Sequence, residues 1–150
     1  MVVDRHDFEN LSRSDCLALL AAQPMGRVAI SLHALPAILP VSYCLLEEDV
    51  VFAAGSGASS RTIMHKKVIA FEADSIDPVS RSGWSVLVVG MARQLHERDQ
   101  DWQVAHDLAL LPWAEGHAVH LIRLSTDQIS GRRLVDGASS QRTDNPASRV

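Results

Sequence analysis

The segment from Val50 to Lys67, VVFAAGSGASSRTIMHKK, holds the residues whose types and spacing best suit chemistry. An apolar strand-like run enters Gly55-Ser56-Gly57, and a short helical pattern starts near Ser59 or Ser60. Glycine lets backbone N–H groups approach an anion closely, and a helix N-terminus adds unpaired donors and partial positive charge. Ser56, Ser59, Ser60 and Arg61 add side-chain donors, and Lys66 and Lys67 are the only lysines in the chain. Two readings stay open on spacing alone. The segment is a phosphate cradle, or it is a strand–turn–helix joint whose serine caps the helix, which is the plainer reading. It is not a Walker loop, because no Gly-Lys-Ser/Thr follows, and it is not G-x-G-x-x-G, because the last position is Ser60.

Other chemistry is sparser. His117 and His120 tempt a metal reading, but residues three apart on a strand face opposite ways, and no further Cys, His or carboxylate spacing supports a site. No G-x-S-x-G nucleophile elbow occurs. Glu72 and Asp74 fall on one face of a strand, with nothing else in the spacing to mark them as a catalytic pair. Acid–base and covalent catalysis are therefore not announced, which is informative if a bound cofactor carries the chemistry. Trp84, beside Ser85, opens a long strand where it could edge a planar ligand, and Trp113 follows Pro112 in a loop. Packing in the core or at an interface serves both tryptophans equally well.

The elements that must position these groups are mostly strands. Ser12-Arg13-Ser14-Asp15 has the capping-box pattern, and Cys16, Leu19 and Leu20 share a helical face before Pro24 stops the helix. Strand patterns cover Arg27–Leu32, Pro36–Leu46, Val50–Ala54, Val68–Ala73, Trp84–His96 and Val119–Leu124, with a seventh over Gln128–Val135. Gly90 marks a bend or bulge in the long strand, and Asp74–Ser82 reads as a loop. A second helix is predicted over Asp99–Leu110. Short turns and few helices predict a mainly β, antiparallel barrel with peripheral helices. Strands apolar on both faces need cover outside the barrel, and a second copy of the chain is the economical cover, so a homodimer is expected.

Composition bounds the function. The chain has 150 residues, of which 47% are hydrophobic and 21% charged, enough for one packed domain. Residues 11–135 are expected to form it, with residues 1–10 a polar extension and residues 136–150, DGASSQRTDNPASRV, a disordered tail. A net charge of −4 argues against a general nucleic-acid binder. No apolar run reaches the ~20 residues that span a bilayer. The first residues lack a secretory pattern and the two cysteines, Cys16 and Cys44, lie among apolar neighbours, so a cytoplasmic protein is expected.

Taken in order, several of these pieces resemble a family. Gly26-Arg27-Val28-Ala29 precedes Leu39-Pro40-Val41-Ser42-Tyr43; Val51-Phe52 leads to the Gly55-Ser56-Gly57 turn; Ala70-Phe71-Glu72-Ala73-Asp74 follows. Gly83-Trp84-Ser85-Val86-Leu87-Val88, Pro112-Trp113-Ala114 and Gly131-Arg132-Arg133 complete the series. Over about residues 11 to 135 the chain resembles the pyridoxamine phosphate oxidase-like FMN-binding split barrels, in their small actinobacterial and nitroimidazole-resistance-like branch. The resemblance implies a six-stranded antiparallel split barrel, homodimeric, with FMN in clefts between subunits. It implies that Pro40, Val41, Ser42 and Ala54 line the flavin ring. Gly55, Ser56, Ser59, Ser60 and Arg61 would hold the phosphate, with Trp84 and Ser85 near the cofactor and Trp113 reaching from the second subunit. Many relatives carry a basic residue where this chain has Ser59, so Arg61 or Lys66 would replace that contact. The expected activity is flavin-dependent oxidoreduction of a small molecule. The alternative is a non-catalytic module that holds flavin, deazaflavin or haem.

Overall fold

Val28 and Ile30 turn inward while Arg27, Ala29 and Ser31 stay exposed, which is the two-residue period of a half-buried strand. The same period recurs along the chain in a computed structural model that describes residues 7–55, 67–107 and 120–135. The elements are β1 (Asp7–Asn10), α1 (Arg13–Ala21), β2 (Met25–Leu32), β3 (Leu35–Leu46), β4 (Asp49–Ala54), β5 (Val68–Asp77), β6 (Ser82–Gln94), α2 (Gln100–Asp107), β7 (His120–Leu124) and β8 (Ile129–Val135).

All strand pairings are antiparallel, in the order β1-β8-β6-β5-β2-β3-β4-β7, and β6 also pairs with β7. That last pairing closes a six-stranded barrel of β2, β3, β4, β7, β6 and β5, as expected from the sequence. Strand β6 is long enough to serve three neighbours. One edge follows β5 from Ser82 to Met91. The other pairs with β8 from Gly83 to Val88, then with β7 from Ala92 to Gln94. Gly90 sits at that change of partner.

The barrel core holds Val28, Ile30, Tyr43, Val50, Phe52, Phe71, Val86, Val88 and Ile122. Tyr43 and Phe71 meet edge to face with centroids 4.8 Å apart. The Tyr43 hydroxyl donates to the Leu20 carbonyl at 2.5 Å, which pins the end of α1. Burial pushes the Tyr43 phenol well above its ordinary range. Ser12 caps α1 as its motif predicts, accepting from the Asp15 N–H, and Cys16 and Leu20 bury the helix on the barrel. Both cysteines are free, and burial raises both thiols, so they act as small apolar groups.

Three findings differ from the sequence reading. Residues Asp7–Asn10 are a strand, paired residue for residue with Arg132 to Val135. Four polar-rich residues carry no alternation signal, and only the edge offered by β8 gives them a partner. The stretch Asp74–Asp77, read as loop, continues β5 against Ser82 to Ser85. The Asp77 carboxylate accepts from the Val79 N–H at 2.9 Å and closes the turn. Finally, the second face of β4 is covered by this same chain. Val51 and Ala53 pack with Leu95 and Leu121, and Trp102 of α2 lies against them. A strand apolar on both faces is thus no evidence here for a partner.

Two polar knots, built around the buried Arg123 and Thr126, hold the connections. Arg123, on β7, donates to Asp49 at 2.8 Å and to Asp101 at 2.5 Å, and lies 3.5 Å from Glu47. Burial works against its charge, but these carboxylates more than offset that and raise its pKa. Arg13 of α1 donates to both the carbonyl and the hydroxyl of Thr126, whose hydroxyl donates to the Glu48 carbonyl at 2.7 Å. These contacts fasten the β3–β4 turn, where Glu47 and Glu48 have φ of 48° and 71°. No helix of the described residues is long and apolar enough to cross a membrane.

Candidate functional site

Strand register lays the outward residues of the barrel in rows. One row runs Pro40, Arg27, Glu72, Leu87, Ser130. The next runs Asp74, Ser85, Arg132, Asn10, and a third Ile76, Gly83, Leu134, Phe8. Two of the cavities on this outer face adjoin these rows at Glu72 and Asp74. The first, ≈ 340 Å³, is walled by Phe8, Ile76, Trp84, Leu87 and Leu134, with Glu72, Ser85 and Arg132 as its main polar groups. The second, ≈ 300 Å³, is lined by Gln23, Met25, Gly26, Arg27, Pro40 and Asp74. Both volumes sit at the lower end for small-molecule sites, and an apolar wall with a few polar groups is the usual make-up of such a site.

An ion cluster stands between the two cavities. Arg27 lies 3.0 Å from Glu72 and 3.5 Å from Asp74, with Glu72 in the first cavity and Asp74 and Arg27 in the second. Burial and then the neighbouring Asp74 raise the Glu72 carboxyl above its ordinary value, against the pull of Arg27. The one-face placement of Glu72 and Asp74 is as the strand period predicts. Beside them, the backbone of Gly26 packs closely against the Phe71 ring. A Cβ there would stand 2.4 Å from the Phe71 ring and 2.9 Å from the Glu72 carbonyl.

The predicted site residues divide. Pro40 lines the second cavity, and Trp84 and Ser85 line the first. Ser42 is on the same outward side, its hydroxyl donating to the Met25 sulfur at 3.5 Å. Val41 and Ala54 are buried in the barrel core, so their side chains cannot line a ring on the outer face, and only their backbones are available to one. Gly55 is buried at the end of β4. Ser56, Ser59, Ser60, Arg61, Lys66 and Trp113 lie outside the described residues, as do the helix expected near Ser59 and the tail over residues 136–150. Among the described residues no group of His, Cys, Asp and Glu could hold a metal, and His120 is engaged with Gln94 at 3.2 Å.

Sequence reasoning passed over Phe8, Arg27 and Arg132 as ligand groups. Arg27 was legible from parity, since it alternates with Val28 and so shares the outward side with Pro40 and Glu72. Phe8 was not legible, because it reaches the cavity only through β1.

Comparison with known proteins adds to this geometry. An uncharacterized protein of Mycobacterium tuberculosis is 32% identical over 131 residues, covering 83% of this chain and 84% of that one. The structure of a FAD-binding protein from Mycobacterium smegmatis superposes with a TM-score of 0.70 at 30% identity, covering 83% of this chain and 98% of that chain. A FAD- and haem-binding protein from the same organism shares the fold, with a TM-score of 0.66 at 15% identity over 85% of this chain and 74% of that chain. Residues 12–133 match the pyridoxamine 5'-phosphate oxidase family, so by sequence as well as by its split barrel this chain is a member of that family.

Proposed function

We propose that this protein binds a flavin nucleotide on the outer face of β2, β5, β6 and β8 and uses it for oxidoreduction of a small molecule. The observation that carries the reading is the 30% identity to a FAD-binding protein across 98% of that chain. The described residues fit such a group by their chemistry. Leu87, Ile76 and Leu134 offer apolar walls to a fused ring, with Trp84 behind them against the barrel core, and Ser85, Glu72 and Arg132 offer a donor, an acid and a cation at its edge. The flavin when bound supplies the electron chemistry, and the chain binds, orients and shields it. The family resemblance implies FMN, while the 30% identical relative makes FAD the first cofactor to test.

The assembly is proposed to be a homodimer through this same face. Ile38, Val68, Leu87 and Met91 are large apolar side chains left exposed on it. A second copy would cover them and deepen both cavities.

The test starts with protein incubated with FAD or FMN and freed of unbound flavin. Retained flavin that a nicotinamide donor bleaches, and that an added acceptor reoxidises, supports the oxidoreductase. Retained flavin that no donor reduces leaves a cofactor-holding module. No retained flavin overturns the reading.

A further inference from the structure

Arg132 differs from Arg27 on this face, and from Arg13 and Arg123 elsewhere on the barrel. Arg13, Arg27 and Arg123 each have a carboxylate partner, whereas among the described residues Arg132 has none. Its interaction is instead with Phe8, whose ring centroid lies 5.9 Å from the guanidinium carbon. Both line the first cavity, together with Trp84, Ile76, Leu87 and Leu134. The acid in the same cavity, Glu72, is already engaged by Arg27 at 3.0 Å and does not neutralise Arg132. A guanidinium steadied by an aromatic ring, beside apolar walls and with no acid partner among the described residues, presents its N–H groups to an oxyanion.

We propose that Arg132, positioned by Phe8, is the anion-recognising residue of this cavity, and that the cavity takes a planar ring bearing a phosphate or carboxylate. The ring and anion come from the flavin nucleotide itself or from a separate planar acid. The inference rests on the flavin reading for its cofactor arm alone. Strand β1 is then part of the site: it brings Phe8 beside the arginine.

The experiment measures Trp fluorescence quenching and flavin absorbance in titrations of the full chain. The probes are FAD, FMN and riboflavin in one arm, and 2-naphthoate and 2-naphthamide in the other. The variants are Arg132→Gln and Phe8→Ala, with Phe8→Tyr as the conservative variant. Arg133→Gln serves as a matched charge control, since Arg133 is the next residue of β8 and does not line the cavity. Arg132→Gln is expected to weaken FAD and FMN about tenfold or more while sparing riboflavin, or to weaken 2-naphthoate likewise while sparing 2-naphthamide. The first result assigns the anion to the cofactor and the second to a separate acid. Phe8→Ala should move the same ligand less, and Phe8→Tyr should restore it. The proposal is overturned if Arg132→Gln changes no anion more than Arg133→Gln does, or if neutral and anionic probes weaken equally. It is overturned too if the wild type binds none of these anions. If 2-naphthoate binds through Arg132 but no flavin binds, the flavin reading fails and the anion site stands; if flavin binds independently of Arg132 and 2-naphthoate does not bind through it either, the anion site alone fails.

Discussion

At Gly26 the packing leaves room for a hydrogen and no more. A methyl group there would overlap the Phe71 ring, whose Cζ lies 2.4 Å from the Cβ position. Gly26→Ala should cost about 1–3 kcal/mol in chemical denaturation, the usual range for overpacking. Adding Phe71→Leu should recover part of that loss; a double variant no more stable than Gly26→Ala would contradict the account. Glu72 gives a pH test. Its carboxyl is held above its ordinary value of 4.5, first by burial and then by Asp74. The folded state therefore favours the protonated acid. The stability this gives is fully present below 4.5 and is lost as pH rises through the raised value. Glu72→Gln stays neutral, so its stability relative to wild type should climb as pH rises from the acid side of 4.5 toward neutrality. A pH-independent difference would show that the acid is not strained. At this scale the sequence was only partly legible. Parity alone placed Glu72 and Asp74 together, but it could not show which strand presents a cation to them, because the β2–β5 pairing joins residues far apart in the chain.

Elements were more legible than residues, since β2 and β5 bury alternate side chains and so write their period into the sequence, while β4 and β7, buried on both faces, read as short continuous apolar runs. The miss at β1 and the shortened β5 have one cause. Both stretches are polar, and pairing with a neighbour rather than apolar burial makes them strands. The β2–β3 hairpin carries a testable strain. His33 and Ala34 have φ of 49° and 65°, a region that glycine enters without penalty. Ala34→Gly should raise stability by about 0.5–1 kcal/mol, the relief of left-handed strain outweighing the added chain entropy. A loss of stability would mean that the turn is not under strain. Helix α2 is held by Trp102 on one side and by Asp101 on Arg123 on the other. Asp101→Asn should speed hydrogen exchange across residues 100–107 while β2 and β5 stay protected. Exchange that stays as slow as in wild type would show that packing alone holds the helix.

For the whole molecule, the apolar outer face is the feature that the closed barrel does not explain. The second side of β4 turned out to be covered internally, yet Ile38 and Met91 remain 68% and 52% exposed. Ile38→Asp should convert a dimer to a monomer in sedimentation; a wild type that already sediments as a monomer would remove the proposed partner. Fold and family were readable because they depend on ordered patterns spread over residues 12–133. The ligand was less readable, because it is recognised by groups that converge from β1, β5, β6 and β8 only after folding. The central claim is that this face binds a flavin. It is tested most directly by titrating the purified protein with FAD while following both the visible flavin band and the unfolding temperature. Saturable perturbation of the band, with a rise of about 5–10 °C when FAD exceeds its Kd a hundredfold, is the predicted result. An unperturbed band and an unchanged unfolding temperature, with FMN behaving the same way, would contradict it.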